Sequence, residues 1–291
     1  MPADPFSTLM LILLTAADTV ARLWPYVLGG IAAAAALSWA VQRRRVILPL
    51  GLPRPLAASL AVVAGAASPL PTAGVAPVVV EMRGRGLPPG PGLAFVLSSV
   101  LMNPQLFVLT LGALGPRFAL VQLAAVLAVS AVLGLVFDAG RPVEWGAKEG
   151  AETEPLQIPT PIAHLAGHVL FYFLIGVLAG AALQVLLPQL GILDWLAERG
   201  WLSTPLLGWL GAPLYTCGGS AVPLARSLGQ AGFSQGTLLA FLLVGPALRG
   251  TSLASLGCLL PRRALIACLV GLVLAAGLVG YGLDWLVRGM G

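Results

Sequence analysis

Charge is what this sequence has least of. Asp, Glu, Lys and Arg make up 9% of the 291 residues, whereas 58% of the residues are hydrophobic and the mean hydropathy is +0.94. A soluble domain carries about 25% charged residues, so a mainly water-exposed surface is excluded for this chain. The composition predicts an all-α polytopic membrane protein with most of its length in or against the bilayer.

The sequence motifs of several enzyme classes are also missing. Lys148 is the single lysine and lies in no G-x-x-x-x-G-K-[ST] loop, which excludes ATP hydrolysis by this chain. G-x-S-x-G and H-E-x-x-H are absent as well. The apolar segments hold almost none of the paired carboxylates or bases that catalysis needs. We therefore expect neither an enzyme nor a bound cofactor.

Thiols and imidazoles are scarce. Cys217, Cys258 and Cys268 show no C-x-x-C spacing. His164 and His168 share one helix face at i, i+4 spacing, but no carboxylate or cysteine lies beside them at helical spacing. We expect no metal site.

Basic residues form one run, Arg43 to Arg45, which we interpret as the anchor of a cytoplasmic loop because positive loops stay inside. No basic face with interleaved aromatic residues predicts nucleic-acid binding. The start, MPADPF, has no basic segment typical of a cleaved signal peptide. We expect a multi-pass protein of the cell (inner or plasma) membrane.

Long hydrophobic segments are plentiful. A membrane-spanning helix needs about 20 apolar residues, and Phe6–Ala17 is too short to span alone, so we interpret it as an interfacial or re-entrant lead-in. About eight spans are predicted, or up to ten if the interrupted ones are split: Ala21–Val41, Leu56–Ala73, Gly92–Leu114, Phe118–Phe137, Ala166–Leu187, Leu202–Tyr215, Leu238–Leu260 and Ala264–Leu286.

The chain divides into two similar halves. Residues 1–140 are the predicted first transmembrane repeat, 141–162 a polar acidic linker, and 163–291 the second repeat. A shift of 146 residues matches rarer residues in one register, pairing Tyr26 with Tyr172, Arg117 with Arg263 and Asp138 with Asp284. Such duplication recurs in secondary transporters. Four spans per half would make the repeats parallel and five would make them inverted; the loop charges do not decide.

Each half contains a hydrophobic segment broken by Pro and Gly, Ser68–Gly115 and Ala212–Leu260. Irregular backbone at membrane depth is tolerated where it lines a cavity or is buried in protein. Matched breaks in two halves point to a transport site, although close helix packing is the alternative interpretation. We predict a substrate pathway lined by Thr72, Gly74, Pro77, Asn103, Pro104, Thr216, Cys217, Gly218, Pro223, Pro246 and Arg249.

The order C-x-C-G-x-x-P, G-x-x-x-G-x-x-L-A-F and an Asn-Pro break resembles the predicted permease family that includes the ArsP-type organoarsenical efflux permeases. The resemblance covers nearly the whole chain. It implies a multi-span permease and, for some members, export of trivalent organoarsenicals. The matching residues are Gly74, Pro77, Gly86, Gly90, Leu93, Ala94, Phe95, Asn103 and Pro104, and then Cys217, Gly218, Pro223, Gly232, Gly236, Ala240, Phe241, Gly245, Pro246 and Ala247.

Two departures from the family pattern matter. Pro71 and Ala73 replace the cysteines of the first-half C-x-C, which leaves Cys217 as the one thiol at a candidate site for thiophilic trivalent arsenic. Cys217 is either a ligand or a small buried hydrophobe. Arg249 stands where the family tends to show Asn, with Asn103 as its repeat mate. It is either an anion-binding charge or an arginine that snorkels to the interface.

Other polar residues leave alternatives open. Glu81 is either a proton-coupling carboxylate or the end of a segment, paired with Arg83 or Arg85, and Asp138 and Asp284 are expected to be boundary residues. Hydroxyls near the breaks either serve the site or bond their own helix; they are Thr72, Ser98, Ser99, Thr216, Ser220 and Thr251.

The leading hypothesis is a permease that exports a small molecule by alternating access, with a trivalent organoarsenical as the substrate that the resemblance implies and protons as the coupling ion. The alternatives are a permease for a small anionic metabolite, a non-transporting membrane scaffold subunit and a passive channel.

Overall fold

The computed structural model describes residues 5–43, 53–68, 75, 78–80, 82, 87–139, 162–186, 218–230 and 232–289. Regular structure in these ranges is helical, which confirms the predicted all-α class. The helices are α1 (Pro5–Arg43), α2 (Arg54–Ala66), α3 (Pro89–Leu101), α4 (Pro104–Leu114), α5 (Pro116–Ala139), α6 (Ile162–Leu186), α7 (Gly218–Gln230), α8 (Gln235–Leu248), α9 (Gly250–Leu259) and α10 (Arg262–Gly289).

Helix α1 corrects one expectation. The predicted lead-in Phe6–Ala17 is not a separate segment but continues into one helix of 39 residues, of which Phe6–Gly29 is long and apolar enough to cross a membrane. Asp18 and Arg22 form an ion pair of 2.8 Å one turn apart. The Thr15 hydroxyl donates to the carbonyl four residues earlier, at 2.8 Å. Because these polar groups are satisfied within α1, they do not end the helix.

Two further helices can cross a membrane by length and composition, at Pro116–Asp138 in α5 and Arg262–Val287 in α10. Helices α3 and α4 form a bent pair with an angle of 45°, and α8 and α9 form one with an angle of 62°. The described ranges thus contain three spans, or five if each bent pair is one span, which supports a polytopic membrane protein. The count of eight to ten stays a prediction, and Leu202–Tyr215 lies outside the described residues.

The outer faces of the long helices are apolar. In α10 the side chains of Leu274, Leu278 and Trp285 are 63%, 74% and 76% exposed. A water-soluble protein rarely exposes so large a contiguous apolar face. These faces fit a lipid environment.

Helices α3 and α8 form the centre of the described structure. Every residue of Gly90–Leu101 in α3 and of Gly236–Ala247 in α8 is buried. Helix α3 packs against α2, α5 and α8, while α8 packs against α3, α7 and α10. The first helix of each bent pair, α3 or α8, therefore lies in the interior, with the long apolar helices outside it.

The helices of the two halves start in a common register. Helices α3, α4 and α5 begin at residues 89, 104 and 116, and α8, α9 and α10 begin at residues 235, 250 and 262, each 146 residues later. The packing of α3 against α5 recurs as the packing of α8 against α10. The sequence shift of 146 residues therefore relates helices that occupy similar local surroundings.

Candidate functional site

The first helix break lies between α3 and α4. Met102 and Asn103 are extended there, and Pro104 opens α4. The Asn103 side-chain oxygen Oδ1 accepts a hydrogen bond from the Leu106 N–H at 2.7 Å, as an N-cap does. Pro104 at the first helical position has no N–H that would need a partner. Asn103 and Pro104 thus satisfy the N-terminus of α4 without an external partner.

The second break lies between α8 and α9. Pro246 is buried in the last turn of α8, where it removes one backbone hydrogen bond. Arg249 alone connects the two helices, with an extended backbone of φ −63° and ψ 140°, and its side chain is half-buried. Unlike Asn103, Arg249 makes no side-chain capping hydrogen bond to its helix.

Each break has a buried serine hydroxyl beside it. Ser99 lies four residues before Asn103 and Ser252 three residues after Arg249, and they are 5% and 1% exposed. Within the described ranges neither Oγ has a hydrogen-bond partner. A buried hydroxyl without a partner costs about 2–7 kcal/mol relative to water. These two hydroxyls are therefore available to a polar ligand.

Other buried hydroxyls are satisfied by their own helices. Ser98 donates to the Phe95 carbonyl at 3.1 Å, Thr110 to the Leu106 carbonyl at 2.8 Å and Ser227 to the Pro223 carbonyl at 3.0 Å. For Ser98 the structure thus favours the self-bonded alternative. The contrast distinguishes Ser99 and Ser252 from ordinary buried hydroxyls.

Gln122 in α5 is a polar residue that the sequence analysis missed. It is fully buried, and within the described residues neither its amide nitrogen nor its amide oxygen has a partner. Ser130 in the same helix is buried and unpartnered too. An amide inside the apolar segment Phe118–Phe137 is the sequence signal that could have found it.

Two carboxylates hold the starts of the buried helices. Asp284 at the end of α10 accepts from the Gly236 N–H at 2.7 Å and from the Ser234 hydroxyl at 2.6 Å. Asp138 at the end of α5 accepts from the Gly90 N–H at 3.4 Å and pairs with Arg54 at 3.3 Å.

Negative charge is favourable at a helix N-terminus. Asp138 and Asp284 therefore do more than mark the boundary of a span, because they fix the starts of α3 and α8.

The structure describes some of the predicted pathway residues and not others. Helix α7 begins at Gly218, carries the buried Pro223, and packs against both α4 and α8, so it touches both bent pairs. Asn103, Pro104, Pro246 and Arg249 lie at the breaks as expected. Outside the described residues lie Thr72, Gly74, Pro77, Thr216 and Cys217.

Two bent helix pairs, with buried and unsatisfied serine hydroxyls beside their breaks and long apolar helices packed around α3 and α8, define a helical membrane protein with broken helices. The chain matches the model of the predicted permease family ArsP_1 over residues 8–283 and belongs to that family. The resemblance seen in the sequence is thereby confirmed. Membership, together with the apolar helices, supports a membrane transporter of a small molecule. No curated protein and no solved structure matches it.

Proposed function

We propose that this permease exports a small molecule across the cell (inner or plasma) membrane by alternating access, and that its substrate passes the two helix breaks. One observation carries the proposal. Asn103 and Arg249 occupy the same position in two bent helix pairs whose first helices are buried, and a buried serine without a partner in the described residues lies beside each break. Broken helices at matched positions are a feature of secondary-transporter sites.

Gene duplication accounts for the shared register of the halves. The Gly90–Asp138 and Gly236–Asp284 hydrogen bonds both join residues that are 48 positions apart, and the second lies 146 positions after the first. Separate evolution of two such contacts in one register would require a coincidence of helix length, glycine and carboxylate. We propose that residues 1–140 and 163–291 are two copies of one ancestral unit joined by the linker 141–162.

A trivalent organoarsenical is the first substrate to test, because the family resemblance implies it. The test is accumulation of a trivalent methylated arsenical in arsenic-sensitive bacteria that express the chain, compared with cells carrying an empty vector. Lower accumulation in the expressing cells supports efflux, and would also make the missing first-half cysteines dispensable for it. Unchanged accumulation, with the protein verified in the membrane, removes this substrate.

The matched variant in that experiment is Arg249→Ala. Arg249 lies at the break and outside the long apolar helices, so its loss is expected to abolish efflux while the amount of folded protein stays normal. Full efflux at normal expression would reject the assignment of the pathway to this break. A scaffold subunit would instead tolerate changes at Asn103, Arg249 and Cys217 without any phenotype.

A small anionic metabolite is the second candidate substrate. It is favoured by the arginine at the α8–α9 connection, since a guanidinium within a membrane segment is stable when it faces a cavity or a partner. The positions of the cysteines give an arsenical substrate less support. Of the described cysteines, Cys268 is buried in α10 and Cys258 is exposed in α9, and neither lies at a break.

A further inference from the structure

We propose that the first turn of α9 is the binding site for the negatively charged group of a small soluble anion: a carboxylate, phosphate or phosphonate. This inference rests on the proposed permease function and names the substrate class of its second break. The site consists of the Ser252 hydroxyl, the N–H groups at the start of α9 and the positive charge of Arg249.

The start of α9 offers hydrogen-bond donors. The first backbone bond that closes the helix joins the Leu253 N–H to the Arg249 carbonyl at 2.9 Å. The N–H groups of residues 250, 251 and 252 precede that bond, and the described structure shows no side-chain cap for them. Such a group of N–H donors, with the positive end of the helix dipole, attracts an anion.

The Ser252 side chain is the second feature of this site. Its hydroxyl is 1% exposed and has no partner in the described ranges. The Cα–Cβ bond of a helical residue tilts toward the N-terminus, and Ser252 is the third residue of α9, so its Cβ leans toward the free N–H groups at the helix start. Neither the Leu248 carbonyl four residues back nor the Arg249 carbonyl, which accepts from the Leu253 N–H at 2.9 Å, accepts from this hydroxyl.

The corresponding helix start in the first half, that of α4, is capped by a side chain of the protein itself. There the Asn103 oxygen occupies the Leu106 N–H at 2.7 Å, and an apolar leucine stands where the second half has Ser252. The second half thus has a donor hydroxyl in place of an apolar side chain and a cation in place of a capping amide. Both differences favour an external acceptor carrying negative charge.

The Asp284 carboxylate lies far from Ser252. It holds the opposite end of α8, a helix of 14 residues, and so lies about 20 Å away along the helix axis. The near-complete burial of Ser252 favours a small solute over a lipid headgroup, which would remain at the outer surface of the protein.

The test is isothermal titration calorimetry on the full-length protein in dodecyl maltoside, a detergent without phosphate. The probes are inorganic phosphate, methylphosphonate and acetate at constant ionic strength, with glycerol as the uncharged comparison. We expect at least one anion to bind and glycerol not to bind. Ser252→Ala should weaken that binding about tenfold or more, because hydrogen bonds to charged groups are strong. Ser227→Ala, which removes a self-bonded buried hydroxyl, should leave it unchanged.

A second variant guards against misfolding. Arg249→Asn introduces the residue found at the first break, on an extended backbone that suits an N-cap. We expect this protein to fold normally and to lose anion binding, because the new amide oxygen takes the Ser252 N–H and the charge is gone. Arg249→Lys should retain part of the binding.

The proposal is overturned if none of the three anions binds, or if Arg249→Asn and Ser252→Ala bind them as the unaltered protein does. Binding of phosphatidylglycerol in mixed micelles, with no binding of the free anions, would place a lipid headgroup there and also overturn it. Arsenical efflux without anion binding would reject this site and retain the permease. Anion binding by a chain that transports nothing would retain this site and reject the permease function.

Discussion

The backbone N–H of Gly236 donates to Oδ1 of Asp284 at 2.7 Å, which joins the first turn of the buried helix α8 to the end of α10. The approach requires glycine, since a Cβ on Gly236 would overlap the carbonyl oxygen of Gly280. Small residues let helices approach closely in membranes. This contact fixes the start of the helix whose other end leads to Arg249.

Gly236→Ala is expected to lower the yield of folded protein and its melting temperature, because overpacking reduces the free energy of unfolding by about 1–3 kcal/mol. The measurement is thermal unfolding of purified protein in detergent. Gly277→Ala is the matched control, because this glycine lies in α10 one turn before Gly280 and a Cβ there meets nothing within 4 Å. Equal stability of the two variants would show that the close approach is unimportant.

Asp138 and Arg54 form an ion pair whose members should contribute unequally. The Arg54 side chain is 70% exposed and that of Asp138 is 8% exposed. Asp138→Ala leaves the Gly90 N–H without its acceptor and should destabilise by about 1–3 kcal/mol. Arg54→Ala removes a largely exposed pair and should cost at most about 1 kcal/mol.

Thermal unfolding of both variants in the same detergent checks this order. A larger loss for Arg54→Ala than for Asp138→Ala would mean that the ion pair, and not the hold on α3, is the main contribution.

Asn103→Ala should destabilise α4 by about 1 kcal/mol through loss of its N-cap and should slow transport. Asn103→Asp retains an acceptor oxygen for the Leu106 N–H and should keep the stability of the unaltered protein. Thermal unfolding gives the first quantity and efflux at matched expression the second. Equal stability of the Ala and Asp variants would contradict the capping role.

If the proposed secondary-transport mechanism holds, transport should depend on an ion gradient. A protonophore is expected to stop efflux, and the initial rate should saturate as the internal substrate concentration rises. Initial rates in loaded cells, with and without the protonophore, measure both. Flux that is linear in concentration and insensitive to the protonophore would indicate a passive channel.

The composition of the sequence predicted the class, and the motif resemblance predicted the family. The placement of Pro and Gly predicted the breaks at Asn103–Pro104 and Gly245–Arg249, whereas Pro223 lies inside the continuous helix α7. The prediction from the sequence failed for α1, where Phe6–Ala17 was predicted to be a separate lead-in but continues through the paired Asp18 and Arg22 into one helix of 39 residues. The role of Asp284 could not be foreseen, since its acceptor function concerns a backbone N–H 48 positions away. The missing partner of the Ser252 hydroxyl could not be predicted either, since it is a property of the packed structure.

Cysteine accessibility tests for a substrate pathway at both breaks without knowledge of the substrate. Cys217, Cys258 and Cys268 are replaced by alanine, and a single cysteine is introduced at Ser99 or Ser252. The variants are then treated in sealed membrane vesicles with a membrane-impermeant, water-soluble thiol reagent applied to one side or the other. A cysteine at the lipid-facing Leu278 serves as the control.

We predict labelling at positions 99 and 252 and none at 278, although 99 and 252 are the buried positions and Leu278 is 74% exposed on the apolar surface. As a positive control, the same cysteines must label fully once the protein is unfolded. Absence of labelling at both breaks in the folded protein would then contradict the account.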